Sequence, residues 1–222
     1  MYLDFFEKAY YINLASRIDR KELFEKKCAD INLPIERFNA IEIDYEISEL
    51  FAGEYDKKRK QKVSCTLSHQ EIVKKAKEQE LENVLIFEDD SVFLDCYQEY
   101  IKFCVEELKN VEWDIFYMGG EPNNYCDEIS DHLVQINNGG VFCNHAYAVN
   151  KRFYDTFIGF NPLQGEVIDA ILLNYPCHLR KYVLPKELLV IQDDTSKSDL
   201  WFEKGNTKQI MINGWNKYVK NI

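Results

Sequence analysis

Three carboxylates stand in a row at Glu88, Asp89 and Asp90, directly after Asn83-Val84-Leu85-Ile86-Phe87, whose apolar residues read as a buried strand. Adjacent carboxylates repel one another and stay desolvated only beside a compensating cation. Magnesium and manganese take hard oxygen ligands, commonly one or two carboxylates together with substrate phosphates. A strand opening into such a cluster is therefore one way to hold a divalent ion against a phosphate-bearing ligand. An acidic turn capping the next segment is the other reading, and three carboxylates do not decide between them.

The surrounding pattern supplies elements to position this cluster. Residues 9–14 read as a first strand, and Ser16 or Asp19 is placed to cap a helix whose apolar positions are Leu23, Phe24 and Cys28. Residues 35–43 suggest a second strand region. Residues 45–63 run from acidic to basic through Lys57-Lys58-Arg59-Lys60 and read as an exposed loop. Ser64 or Thr66 then caps a helix to about Lys77. Beyond the carboxylates, residues 100–109 have helical spacing, and 113–118 form an apolar strand ending at Gly119-Gly120. Strands follow near 133–136 and 141–149, helical segments near 152–158 and 167–173, and short strands at 182–184 and 188–191.

Alternating strands and helices predict an α/β fold, a mainly parallel sheet with helices on both faces. Ligands of such sheets bind beyond the carboxyl ends of the strands, where Leu14, Glu88 and Gly119 fall. That placement favours the cation reading. No internal repeat and no linker rich in Pro, Gly or Ser interrupts the chain, so a single domain over 1–222 is expected.

The 222 residues are 46% hydrophobic and 14% aromatic, enough to build a sizeable core. A formal charge of -11 argues against sequence-independent binding to nucleic acid or an anionic membrane, both of which need basic surface. An anionic nucleotide is still accessible to such a protein where a metal supplies local positive charge. The opening residues show neither a basic start nor a long apolar stretch. No later segment reaches the roughly 20 apolar residues of a spanning helix. The seven cysteines show neither a zinc-type spacing nor a disulfide framework. A reducing, cytoplasmic location without a signal peptide or membrane span is the expectation.

Further motifs join the acidic strand end. Tyr11-Ile12-Asn13-Leu14-Ala15-Ser16-Arg17-Ile18-Asp19-Arg20 resembles the I-N-L-x-x-R-x-D-R opening of glycosyltransferase family 25. Ser64-Cys65-Thr66-Leu67-Ser68-His69 resembles its G-C-x-L-S-H segment, and Val84-Leu85-Ile86-Phe87-Glu88-Asp89-Asp90 its V-L-I-L-E-D-D strand. Ala146-Tyr147-Ala148-Val149-Asn150-Lys151 is similar to A-Y-L-I-S-K, Val167-Ile168-Asp169 to P-V-D, and Gln192 with Ser196 to Leu200 to the closing Q…S-D-I. The matches keep the family's order over roughly residues 9 to 200. Ser64 departs from the first glycine of its motif, and Val167 follows Glu166 where the family favours proline. The family includes bacterial lipooligosaccharide galactosyltransferases and procollagen galactosyltransferases.

The resemblance implies a glycosyltransferase-A type, Rossmann-like fold, a UDP-sugar donor and a divalent metal, Mn2+ or Mg2+. Residues 1–120 would form the nucleotide-binding half, 121–200 the acceptor half and 201–222 a tail. The activity implied is transfer of a hexose, galactose or glucose, to a hydroxyl of a glycan or a hydroxylysine-type protein acceptor, with inversion. Glu88 and Asp90 are the metal ligand candidates, since alternation along extended backbone lets them share a face, with Asp89 between them turned to ribose or backbone. Asn13, Arg17 and Arg20 would lie near the nucleobase or ribose, where arginine suits a pyrimidine edge or phosphate.

Ser68 and His69 would occupy the first turn of a helix, whose N–H groups attract anions, and contact the sugar or diphosphate. Asp169 is the candidate base for the acceptor hydroxyl, with Glu166 as substitute. Gln192 would complete the metal or diphosphate shell through its carbonyl oxygen, with His145 and His178 as rival third ligands. Structural readings stand beside these: ordinary salt bridges for Arg20, a satisfied structural histidine at 69, helix caps at Asp19 and Asp169. Asp193-Asp194 reads as a solvated turn, Gly139-Gly140 as a tight turn, and Trp201 and Trp215 as packing residues. Two rivals remain: a non-catalytic relative that binds a glycan or protein, and a nucleotidyltransferase or phosphohydrolase, the latter without a glycine-rich phosphate loop to support it.

Overall fold

The computed structural model describes residues 5–43, 56–164, 166–193 and 206–220. The segment Ser196 to Leu200, Asp194, Trp201 and residues 45–55 of the expected loop lie outside the described residues. The strands are β1 (Ala9–Asn13), β2 (Glu36–Asn39), β3 (Asn83–Glu88), β4 (Ser91–Phe93), β5 (Ile115–Tyr117), β6 (Glu121–Pro122), β7 (Cys126–Glu128), β8 (Leu133–Ile136), β9 (Val141–Phe142), β10 (Ala146–Asn150), β11 (Tyr182–Pro185) and β12 (Val190–Gln192). The helices are α1 (Ile18–Asp30), α2 (Asp56–Glu78), α3 (Tyr97–Leu108), α4 (Tyr154–Ile158), α5 (Ile168–Asn174) and α6 (Thr207–Tyr218).

Eight strands form one sheet in the order β2-β1-β3-β10-β5-β11-β8-β7. β1 pairs in parallel with β2 and β3, and β5 with β11, while β10 runs antiparallel between β3 and β5. β8 is antiparallel to both β11 and β7. Two short antiparallel ribbons, β4–β12 and β6–β9, flank this sheet.

Strand alternation builds a core on each face. Val84 and Ile86 point to one side of β3 and Leu85 and Phe87 to the other, and Tyr147/Val149 and Ala146/Ala148 divide β10 in the same way. Helices α1 and α3 cover one face through Phe24, Cys28, Tyr97, Ile101, Cys104, Val105 and Leu108. Helices α2, α4, α5 and α6 cover the other, with Ile72, Val73, Phe157, Leu172, Met211 and Trp215 in its core. Trp215 thus packs as expected. Among the described residues no helix is long and apolar enough to cross a membrane.

Three local expectations are corrected. Neither Ser16 nor Asp19 caps α1: its N-cap is Arg17, without a side-chain cap, and Asp19 lies in the first turn, held by the Arg17 guanidinium at 2.9 and 3.0 Å. The stretch expected as loop up to residue 63 is helical from Asp56, so Ser64 and Thr66 sit inside α2 and cap nothing. The run of lysines is compatible with helix because lysine and arginine have good intrinsic helix propensity. Lastly, β3 stops at Glu88, and Asp89-Asp90 form the turn that carries the chain from the main sheet into β4. Strand alternation therefore does not relate Glu88 to Asp90.

Phe24 shows how the helical layer fixes this turn. It is fully buried, with its ring 5.1 Å from Tyr11, 6.0 Å from Phe87 and 6.1 Å from Phe93. Phe24→Ala should cost about 3–5 kcal/mol of unfolding free energy, read by urea denaturation. A loss under about 1 kcal/mol would show that this contact does not anchor the layer.

Candidate functional site

The carboxyl ends of β1, β2, β3 and β5 meet at one edge of the sheet, and Glu88, Asp89 and Asp90 stand there. Asp89 is buried and committed: Oδ1 takes Arg20 at 2.9 Å and Oδ2 takes the Asn13 amide at 2.7 Å. It ties β1 and α1 to the turn, and any contact with a ribose would use the lone pairs that these bonds leave. Arg20, itself buried, also lies 3.6 Å from Asp90 Oδ2. Arg37 on β2, which the sequence reading did not single out, donates to Asn13 Oδ1 at 2.9 Å and so orients the amide toward Asp89.

Glu88 and Asp90 are the rim carboxylates without such anchoring. Burial, then the charges of Asp89 and Asp169, push the Glu88 carboxyl up to about 8, with Arg20 and Gln192 pulling the other way. Burial, then Glu88, pushes Asp90 up to about 8 as well, against Arg20. Asp90 Oδ1 is buried and, among the described residues, has no hydrogen-bond partner. Two half-buried, mutually repelling carboxylates with an orphaned oxygen fit a hard divalent cation, which would restore the ionised forms.

Helix α2 brings a polar face to this edge. Ser68 is buried: its hydroxyl donates to the Ser64 carbonyl at 2.7 Å and accepts the Ile41 N–H at 2.8 Å. Ser64 Oγ accepts the Ile43 N–H at 3.2 Å, a contact that a glycine there could not make. Both serines thus pin the segment after β2 to α2. The expectation that Ser68 and His69 lie in a first helical turn is overturned, because α2 begins at Asp56, and the anion-attracting N–H groups are not theirs. His69 is buried, with Nδ1 2.7 Å from the Tyr147 hydroxyl and Nε2 3.4 Å from Glu88 Oε1. Burial pushes its pKa down to about 4 although the Asp169 charge opposes this, so the ring is neutral at pH 7.

Asp169 stands in the first turn of α5, one residue inside its start. Its Oδ2 accepts the Cys143 N–H at 3.0 Å and its Oδ1 the Ala170 N–H at 2.7 Å. Cys143 adopts a positive φ of 62° in the link from β9 to β10. The charge of Asp169 is felt by Glu88, His69 and Cys65, so this carboxylate faces the rim. Thr66 Oγ1 donates to the Glu166 carbonyl at 3.1 Å, coupling α2 to the approach to α5. The Glu166 carboxylate itself is exposed and 3.5 Å from Lys62 Nζ.

Gln192 reaches Glu88 Oε2 at 3.5 Å with its amide nitrogen, not with the carbonyl oxygen assigned to a ligand shell. His145 is a core residue: its ring meets the Cys143 and Val190 carbonyls, and its own carbonyl accepts Glu88 N–H and the Ser91 hydroxyl. His178 is exposed in a 3-10 turn. A Cβ on Gly119, at the end of β5, would collide with the Val190 carbonyl and the His145 ring, so close packing of this edge requires glycine there. Besides Arg37, sequence reasoning missed Cys65 and Tyr147. The four-residue spacing of Cys65 and His69, one turn of a helix, was the available signal.

A family model described as glycosyltransferase family 25 (LPS biosynthesis protein) matches residues 6–168. No curated protein matches the chain. Among solved structures, A197 from STIV aligns at a TM-score of 0.50 and 9% identity, covering 84% of this chain and 85% of that one. UDP-glucose pyrophosphorylase complexed with UDP-glucose aligns at 0.48 and 8%, covering 97% and 99%. A glycosyltransferase involved in the glycosylation of the major capsid of PBCV-1 aligns at 0.37 and 9%, covering 68% and 62%. At 9% identity the likeness to A197 concerns the fold alone, and the sheet order with helices on both faces gives the expected Rossmann-like α/β class.

A carboxyl raised by folding opposes folding wherever the unfolded chain would be ionised. The Glu88 penalty is absent below about pH 4.5, grows through the interval up to about 8, and is complete above it. In metal-free protein, Glu88→Gln should raise stability at pH 8 by on the order of 2–4 kcal/mol. The gain should vanish near pH 4. Thermal unfolding in chelator-treated buffer at both pH values checks this, and equal gains at both would contradict a raised carboxyl at this position.

Proposed function

The chain belongs to glycosyltransferase family 25, and from that premise we propose that it transfers a hexose, galactose or glucose, from a UDP-sugar to a hydroxyl of a glycan or hydroxylysine-type protein acceptor, with inversion and with Mn2+ or Mg2+. The observation that carries the metal-dependent reading is the buried Asp90 Oδ1, without a hydrogen-bond partner among the described residues, beside Glu88 at the carboxyl edge of the sheet. Departure of UDP places charge on a diphosphate, and a divalent ion held at Glu88 and Asp90 supplies the neutralisation when bound. Arg20 and Asn13 hold Asp89 and with it the turn, so the two rim carboxylates keep their places as charge develops. Arg17, just past the end of β1, and Arg37, within β2, are the donors we assign to the nucleoside part of the substrate.

Asp169 is the proposed base. Two backbone N–H groups fix its carboxylate, and a lone pair left by those bonds would take the proton from the acceptor hydroxyl as it attacks the anomeric carbon. The exposed Glu166 serves less well, because it is turned toward Lys62. A non-catalytic binding relative would have no use for two rim carboxylates held at such a raised pKa.

Across a panel of UDP-sugars, one donor should release UDP faster with Mn2+ than with chelator. Asp90→Asn should cut that release at least about 100-fold while leaving the circular dichroism spectrum unchanged. Full turnover in this variant would remove the rim from the mechanism. Asp169→Asn should lower transfer to an acceptor by roughly 10²–10⁴-fold while keeping the donor Kd within a few fold. An unchanged rate would assign the base elsewhere.

A further inference from the structure

Cys65 and His69 lie one turn apart on α2, facing the end of β3. Among the described residues, the Cys65 thiol sulfur, a His69 ring nitrogen and a Glu88 carboxylate oxygen all lie within 4.8 Å of one another. The His69 ring is oriented from behind: Tyr147 holds Nδ1 at 2.7 Å, which turns Nε2 toward Glu88 Oε1, 3.4 Å away. That separation is long for an N–H···O hydrogen bond, whose mode is about 2.9–3.0 Å. It is the spacing of two ligands sharing one tetrahedral ion: bonds of about 2.0–2.2 Å from zinc to nitrogen and oxygen put the two atoms about 3.4 Å apart. Tyr147 is thus an outer partner of the kind that orients metal ligands, and the Gln192 amide stands 3.5 Å from the other Glu88 oxygen.

We propose that Cys65, His69 and Glu88 form a site for a borderline divalent cation of the zinc type, with thiolate, imidazole and carboxylate ligands and a fourth position open to water or a phosphate oxygen. The ligand chemistry separates it from the rim pair. Thiolate and imidazole select zinc or cobalt over magnesium and manganese, which prefer the all-oxygen environment of Glu88 with Asp90. The two sites share Glu88, so occupation of one draws that carboxylate from the other. Zinc then acts as an antagonist of the hard cation, and its binding displaces the Cys65 thiol proton to solvent.

The experiment is a titration of metal-free, reduced protein with Co2+, read by its thiolate-to-metal charge-transfer absorption, followed by Zn2+ competition. The expected result is a single equivalent of cobalt with a thiolate band that one equivalent of zinc abolishes. Cys65→Ser should remove the band and weaken zinc binding at least about 100-fold, whereas Cys28→Ser should keep both. Where Cys65→Ser does not fold, alkylation of the native protein serves instead: zinc should protect Cys65 from iodoacetamide, as mapped by peptide mass. Absence of a thiolate band, its persistence in Cys65→Ser, or alkylation of Cys65 at an undiminished rate under saturating zinc overturns the site. Failure of the sugar-transfer reading would leave the cobalt titration unchanged, and failure of the thiolate site would leave manganese-dependent UDP release unchanged.

Discussion

The structure turns on the cost of gathering negative charge at the end of β3. Three consecutive carboxylates leave the sheet where it is flanked by other strand ends, and one buried guanidinium, Arg20, stands among them. Arg20 is spent mainly on Asp89, whose second oxygen is taken by Asn13. Glu88 and Asp90 are left under-compensated, and burial, then the neighbouring carboxylate charges, raises both carboxyls. Folding therefore holds an unfavourable electrostatic arrangement that a bound cation would relieve. Such tension between stability and readiness is common where a protein must bind charge.

What keeps the arrangement from relaxing is the sheet beneath it. β3 is buried on both sides, with Val84 and Ile86 in one core and Leu85 and Phe87 in the other. It is hydrogen-bonded to β1 and β10 along its length. Glu88 cannot withdraw without pulling Phe87 from its place beside Phe24 and Phe93. The aromatic layer, the strand pairing and the Asp89 tie all act on the same few residues. α2 then brings its polar half to the rim and buries its apolar half, Ile72, Val73 and Ala76, against the sheet.

Much of this was legible in the residues. The apolar runs at β1, β3 and β5 gave their strands because such runs have no other stable home, and the acidic rim could be placed at a strand end. α2 was harder to read, since its first turns are dominated by lysine and arginine and resemble a solvated loop. Hydroxyl residues at 64 to 68 then look like caps, whereas the structure uses Ser64 and Ser68 as mid-helix acceptors for the Ile43 and Ile41 N–H groups, respectively. The relation of Glu88 to Asp90 was also misjudged, because a turn intervenes where extended backbone was assumed. Contacts between distant segments, such as Tyr147 with His69 or Cys143 with Asp169, follow from strand order, which no local pattern encodes.

The position of β10 has a consequence for biosynthesis. Residues 146–150 fill the gap between β3 and β5, so a nascent chain shorter than this has two unpaired strand edges facing each other across an empty slot. Open edges of that kind recruit other chains. Polypeptides truncated before Ala146 are thus expected to self-associate during translation, and the acidic rim matures only once residues 146–150 have been made.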